Sequence, residues 1–140
     1  MKPPVLFIFS GQAGVGKTTA SSFLSSSLSL PYFDYDTLVQ PFLQGIERRY
    51  GIGDSRLSFY KEWRKESYLT LMSAVKENLK LGRSIVVSAP FTSELRERDF
   101  FTSMKKDGLE FISVSFYLLP SFSLHKEMLS NRDSYRDEEV

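Results

Sequence analysis

Eight consecutive residues carry the strongest chemical signal in the chain. Gly11-Gln12-Ala13-Gly14-Val15-Gly16-Lys17-Thr18 fills every fixed position of a G-x-x-x-x-G-K-[ST] pattern. Glycines let a backbone curl until successive N–H groups point inward, which makes a concave site for an anion. Lys17 adds a mobile positive charge, and the hydroxyl of Thr18 is a hard oxygen of the kind magnesium takes. The pattern therefore predicts that residues 11–18, with Thr19 in the turn that follows, hold the phosphates of a nucleoside triphosphate. Lys17 would meet the β- and γ-phosphates, and Thr18 the Mg2+ that accompanies them. ATP is favoured over GTP, because the chain has no Asn-Lys-x-Asp and no Asp-x-x-Gly at its third strand.

A second set of candidates lies at Asp34-Tyr35-Asp36. In an open α/β sheet, ligands bind at the carboxyl ends of the strands. If the strand stays extended through residue 36, alternation puts both carboxylates on one face. One could organise the water around magnesium, and the other could take the proton of an incoming hydroxyl. The alternative is that Asp36 caps the next helix and Asp34 is a solvated strand end. Further along, Val87-Ser88-Ala89-Pro90-Phe91 ends the third strand with a serine where many phosphate-loop proteins have an aspartate. Ser88 could hold a water of magnesium, or be a small buried residue satisfied by backbone.

These side chains need a scaffold, and the hydropathy pattern supplies one. The apolar run 5–9 suits a strand buried on both faces, and 17–28 reads as a helix rich in small residues. Residues 31–36 read as a short strand, and 37–49 as a helix despite Pro41 and Gly45. Asp54 is the expected cap of a long helix carrying Leu57, Tyr60, Trp63, Leu71, Val75 and Leu79, stopped by Gly82. Strands at 84–87 and 111–119 bracket a helix over 94–106, and a last helix is expected over 121–129. Strands alternating with helices imply a parallel sheet with right-handed crossovers.

Bulk composition narrows the choices further. A chain of 140 residues, 41% hydrophobic and 25% charged, suits one ordinary globular domain spanning 1–140. Twelve phenylalanines suggest a core built on large rings. A net charge of +1 gives no electrostatic reason to expect nucleic acid or a membrane. Without cysteine, disulfides and thiolate metal sites are excluded, and a single histidine, His125, excludes a histidine zinc cluster. His125 is read as a surface or packed residue. The N-terminal apolar run is shorter than a secretory h-region, and no stretch reaches membrane-span length, so the expected location is cytoplasmic.

The phosphate loop followed by an acidic end of strand two resembles the small P-loop kinases, such as gluconate and shikimate kinases. A group of bacterial AAA-type ATP-binding proteins is more similar still, through residues 82–91 (Gly-Arg-Ser-Ile-Val-Val-Ser-Ala-Pro-Phe) and the stretch from Arg132 to Asp137. The resemblance implies a three-layer α/β/α P-loop NTPase sandwich with strand order 2-3-1-4. It also implies that Asp34 lies near the metal and Asp36 binds the acceptor hydroxyl. Residues 130–140 resemble the lid of these kinases, with Arg132 and Arg136 closing over the transferring phosphate; a charged, frayed terminus is the alternative. Arg96 and Arg98 read as a solvated helix face or as substrate contacts, and Arg64 and Lys65 as a solvated face or an anion contact. Related kinases continue into another helix and a fifth strand, and this chain is expected to lack that strand. The expected function is ATP- and magnesium-dependent phosphoryl transfer to a small hydroxyl-bearing molecule, with catalytic roles for Lys17, Asp36, Arg132 and Arg136. A nucleotide-binding switch, a slow hydrolase and a catalytically incomplete binding module are the alternatives.

Overall fold

In a computed structural model of the chain, the structure describes residues 2–12, 14–90, 104–105 and 108–119. The elements run β1 (Val5–Ser10), α1 (Lys17–Leu28), β2 (Tyr32–Asp34), α2 (Tyr35–Tyr50), α3 (Arg56–Lys80), β3 (Ile85–Ser88) and β4 (Ile112–Tyr117). The four strands form one sheet in the order β2-β3-β1-β4, with every pair parallel, as expected. The expected helices over 94–106 and 121–129 lie largely or wholly outside the described residues, as do Arg96, Arg98, His125, Arg132 and Arg136.

Strand pleating divides the sheet into two faces. Leu6, Ile8, Ile85 and Val87 enter the main core, where they pack with Tyr35, Val39 and Leu43 of α2 and Tyr60, Leu71 and Val75 of α3. The intervening residues Phe7, Phe9, Val86 and Ser88 belong to the opposite face. There α1 lies, with Ser21 buried and linked to Tyr32 of β2. The result is the three-layer α/β/α sandwich.

The core is built on large rings, as expected: Tyr35, Tyr60 and Tyr68 are buried in it together with Phe59 and Phe111. Tyr35 is flanked by Tyr68 at 4.6 Å and by Tyr60 edge-on at 6.3 Å. Phe23 and Phe42 are exposed. Burial pushes the Tyr35 phenol above its ordinary value, with the nearby polar side chains of Tyr60 and Ser67 pulling the other way. The ring thus fills apolar space while its hydroxyl finds polar company.

Two element boundaries matter for the site. The strand expected through residue 36 stops at Asp34, and α2 begins at Tyr35. The cause is the cap: Asp34 Oδ2 accepts from the Thr37 N–H and from Thr37 Oγ1, both at 3.1 Å. Asp34, not Asp36, is therefore the capping residue. Beyond it, α2 runs through Pro41 and Gly45. Pro41 faces solvent while Val39 and Leu43 are buried, so packing of the apolar face outweighs the lost backbone bond. The cap of α3 is Ser55, which accepts from the Ser58 N–H at 3.0 Å, one residue after the expected Asp54.

Candidate functional site

The fold delivers β1 into the phosphate loop at the carboxyl edge of the sheet. Gly11, Gly14 and Gly16 all have positive φ, at 140°, 76° and 99°. At Gly11 the requirement is also one of space, since a Cβ there would lie 2.7 Å from the Leu118 carbonyl oxygen and 3.2 Å from Val15 Cγ1. The loop is thereby pressed against the exit of β4, where the Leu118 N–H donates to the Ser10 carbonyl at 2.9 Å.

Gly16 is the N-cap of α1 and supplies no side chain, and the first turn contains no acid. The first internal bond of the helix runs from Ala20 N–H to the Gly16 carbonyl. The N–H groups of the preceding turn, including those of Thr18 and Thr19, have no acceptor within the helix, and the positive end of the dipole points the same way. Lys17 is only 4% exposed. Its ammonium donates to the Gly11 carbonyl at 2.9 Å and the Gln12 carbonyl at 2.7 Å, which holds the charge over the loop. Glycine-only backbone geometry, an uncapped helix start and a tethered cation together fit a phosphate group. Ala13, the remaining member of the motif, lies outside the described residues.

The acidic edge differs from the sequence expectation. Helical geometry from Tyr35 onward removes the alternation that would have aligned Asp34 with Asp36. Asp34 turns toward the sheet, where its Oδ1 accepts from Ser88 Oγ at 2.7 Å. Asp36 sits in the first turn of α2, and its charge is felt by the Tyr35 phenol, as is that of Arg64. Ser88 is fully buried, and its hydroxyl is satisfied by two side chains, Asp34 and Tyr32, rather than by backbone.

Tyr32 and Ser21 were not singled out by type or spacing, yet both belong to this edge. Tyr32 Oη lies 2.8 Å from Ser21 Oγ and 2.7 Å from Ser88 Oγ, and the Thr18 side chain is near enough to influence the phenol's ionisation. Burial raises the Tyr32 phenol above its ordinary value, and the Asp34 charge adds to the effect. Two residues apart on a pleated strand, Tyr32 and Asp34 share a face, and that alternation was the one available signal. Ser10 Oγ, at the root of the loop, is buried with no hydrogen-bond partner among the described residues. Arg64 donates to Tyr60 Oη at 3.0 Å and stacks over the Tyr68 ring at 4.5 Å, while Lys65 is exposed.

Among the described residues no three His, Cys, Asp or Glu side chains form a metal-holding group. Magnesium bound through nucleotide phosphates does not need such a cage, because it keeps several waters and takes one or two protein oxygens. Thr18 and Asp34 are residues of a type that fit this mode.

This arrangement defines a P-loop nucleotide-binding domain with the sheet order of the small kinases. The chain belongs to the AAA domain family, whose model matches residues 6–140. No protein of curated function matches it in sequence. In structure it is similar to a candidate kinase from Chloroflexus aurantiacus, with a TM-score of 0.75 and 20% identity over 94% of this chain and 66% of that one. A gluconokinase from Sinorhizobium meliloti gives 0.55 and 18%, covering 94% and 67% of the two chains. A shikimate kinase from Bacteroides thetaiotaomicron gives 0.58 and 18%, covering 92% and 65%. At these identities the likeness is one of fold, and the chain spans about two thirds of each neighbour's length. No helix among the described residues is long and apolar enough to cross a membrane.

Proposed function

We propose that the chain binds ATP with magnesium and transfers the γ-phosphoryl group to the hydroxyl of a small molecule. The observation that carries the reading is the tethered ammonium of Lys17. It is buried over a left-handed glycine loop at an uncapped helix start. The loop N–H groups and Lys17 stabilise negative charge on the β- and γ-phosphates, in a site whose donors are already oriented. Thr18 and Asp34 would hold the magnesium, directly and through water; when bound, the ion neutralises charge on the phosphate oxygens. Asp36, at the head of α2, would accept the proton of an incoming hydroxyl or anchor the acceptor. Arg132 and Arg136 remain candidates for closing over the transferring group. Cytoplasmic location accords with an ATP-dependent enzyme.

The gluconokinase and shikimate kinase folds support a small polyol or hydroxy acid as the class of acceptor to try first. A screen of small hydroxylated compounds for stimulated ADP release tests the reading. Release that rises with one compound, with the phosphorylated product detected by mass spectrometry, is the expected result. ATP binding with no turnover for any acceptor, and none on adding protein partners, would favour a binding module.

A further inference from the structure

One row of hydrogen-bonded side chains joins three elements at the carboxyl edge. It runs from Ser21 of α1 through Tyr32 of β2 and Ser88 of β3 to Asp34 at the end of β2. Proton bookkeeping fixes its direction. Asp34, as a carboxylate, only accepts, so the single proton of Ser88 goes to Oδ1. Tyr32 must then donate to Ser88 Oγ, because that oxygen has no second proton to give. Ser21 Oγ lies 2.8 Å from Tyr32 Oη and 2.5 Å from the Lys17 carbonyl, and its single proton is shared between those two acceptors.

We infer that Tyr32 and Ser88 are positioning residues that hold the Asp34 carboxylate in place as a preformed half-site for the hydrated magnesium of a bound nucleotide. The inference rests on the reading of the site as an ATP–magnesium site. Two features carry it. First, β3 ends in Ser88 where an acid would otherwise stand, and the 2.7 Å bond brings the neighbouring strand's acid to that place. Second, Asp34 has about four lone-pair positions. Thr37 occupies Oδ2 twice and Ser88 occupies Oδ1 once, which leaves Oδ1 one position for a water proton. Partners of this kind orient metal-facing groups without touching the metal.

The row could instead be a structural tie between α1 and the sheet, and the two roles separate experimentally. The full chain would be titrated with a non-hydrolysable ATP analogue over a range of magnesium concentrations. Wild type, Tyr32→Phe, Ser88→Ala and Asp34→Asn would be compared by calorimetry, with melting followed by circular dichroism. Tyr32→Phe and Ser88→Ala should each raise the magnesium concentration for half-maximal binding by about fivefold, with Asp34→Asn raising it further. Affinity in the absence of magnesium should stay within about twofold of wild type. If Asp34→Asn alone shifts the magnesium dependence, the row is a structural tie and the inference fails while the site assignment stands. If none of the three shifts it, the metal assignment of Asp34 itself is wrong. A parallel loss of magnesium-free affinity and melting temperature in Tyr32→Phe would also overturn the inference.

Discussion

The phosphate loop draws its anion-facing groups from one short stretch, residues 11–18, whereas the acidic edge beside it is assembled from α1, β2 and β3. In the loop, Gly11, Gly14 and Gly16 set the backbone curl and Lys17 folds its side chain back over it. Gly11 is held against Leu118, and Lys17 is tied to carbonyls five and six residues before it. At the edge, Ser88 reaches Asp34 across 54 positions of sequence and Tyr32 across 56. The first region is a local device that needs only a strand before it and a helix after it. The second exists only once strand register is set, with Asp34 opposite Ser88 and Tyr32 opposite Val86. Function in the two regions should therefore fail in different ways.

The largest effect is expected next to that edge, at the head of α2. Asp36→Asn should lower acceptor-stimulated phosphoryl transfer by roughly 10²-fold, the usual scale for a positioned general base. Melting temperature and ATP affinity should change little, since the cap of α2 is Asp34 and not Asp36. Steady-state kinetics beside a melting curve would separate the two; normal turnover in a variant that melts earlier would remove Asp36 from the chemistry. The next effect falls on the loop. Gly11→Ala introduces a Cβ at a φ of 140° and 2.7 Å from the Leu118 carbonyl oxygen, so stability should drop by roughly 1–3 kcal/mol and ATP affinity with it. Chemical denaturation would measure it, and a variant as stable as wild type would mean that the loop is not pressed against β4.

A smaller effect distinguishes the edge from the core by pH. The Tyr32 and Tyr35 phenols are both raised above the ordinary value of 10.0, chiefly by burial. The folded form therefore holds protons that the unfolded chain releases. Their contribution to stability is complete below pH 10.0 and is lost as pH rises through the folded values. Tyr32→Phe should remove only part of this alkaline loss, leaving the share from Tyr35 within the core. Denaturant midpoints at neutral and alkaline pH would show it, and a midpoint independent of pH would refute both.

The same contrast explains what could be read in the sequence. Among the described residues, the order of strands and helices and the extent of α1 were legible because contiguous patterns specify them: an apolar run, fixed glycines, a Gly-Lys-Thr start. The end of β2 was not. Nothing in Asp34-Tyr35-Asp36 taken alone tells which aspartate caps the helix; the Thr37 N–H and hydroxyl decide it in favour of Asp34. That choice also dissolves the alignment of the two carboxylates that an extended strand would have given. Ser88 looked like a missing acid because a linear reading cannot see that the adjacent strand brings one to the same point. Tyr32 and Ser21 passed unnoticed since a tyrosine in a strand and a serine in a helix are unremarkable until register joins them. Phenylalanine content pointed to large rings in the core, and Phe59 and Phe111 are buried there together with Tyr35, Tyr60 and Tyr68.

The central claim is that the loop and Lys17 hold nucleotide phosphates, and calorimetric titration of ATP with magnesium into wild type and Lys17→Ala tests it most directly. Removing a charge-assisted contact of this kind should weaken binding by roughly 2–3 kcal/mol. Circular dichroism should show the fold retained, because Lys17 packs on the loop and not in the apolar core. Equal ATP affinity in the two proteins would contradict the account.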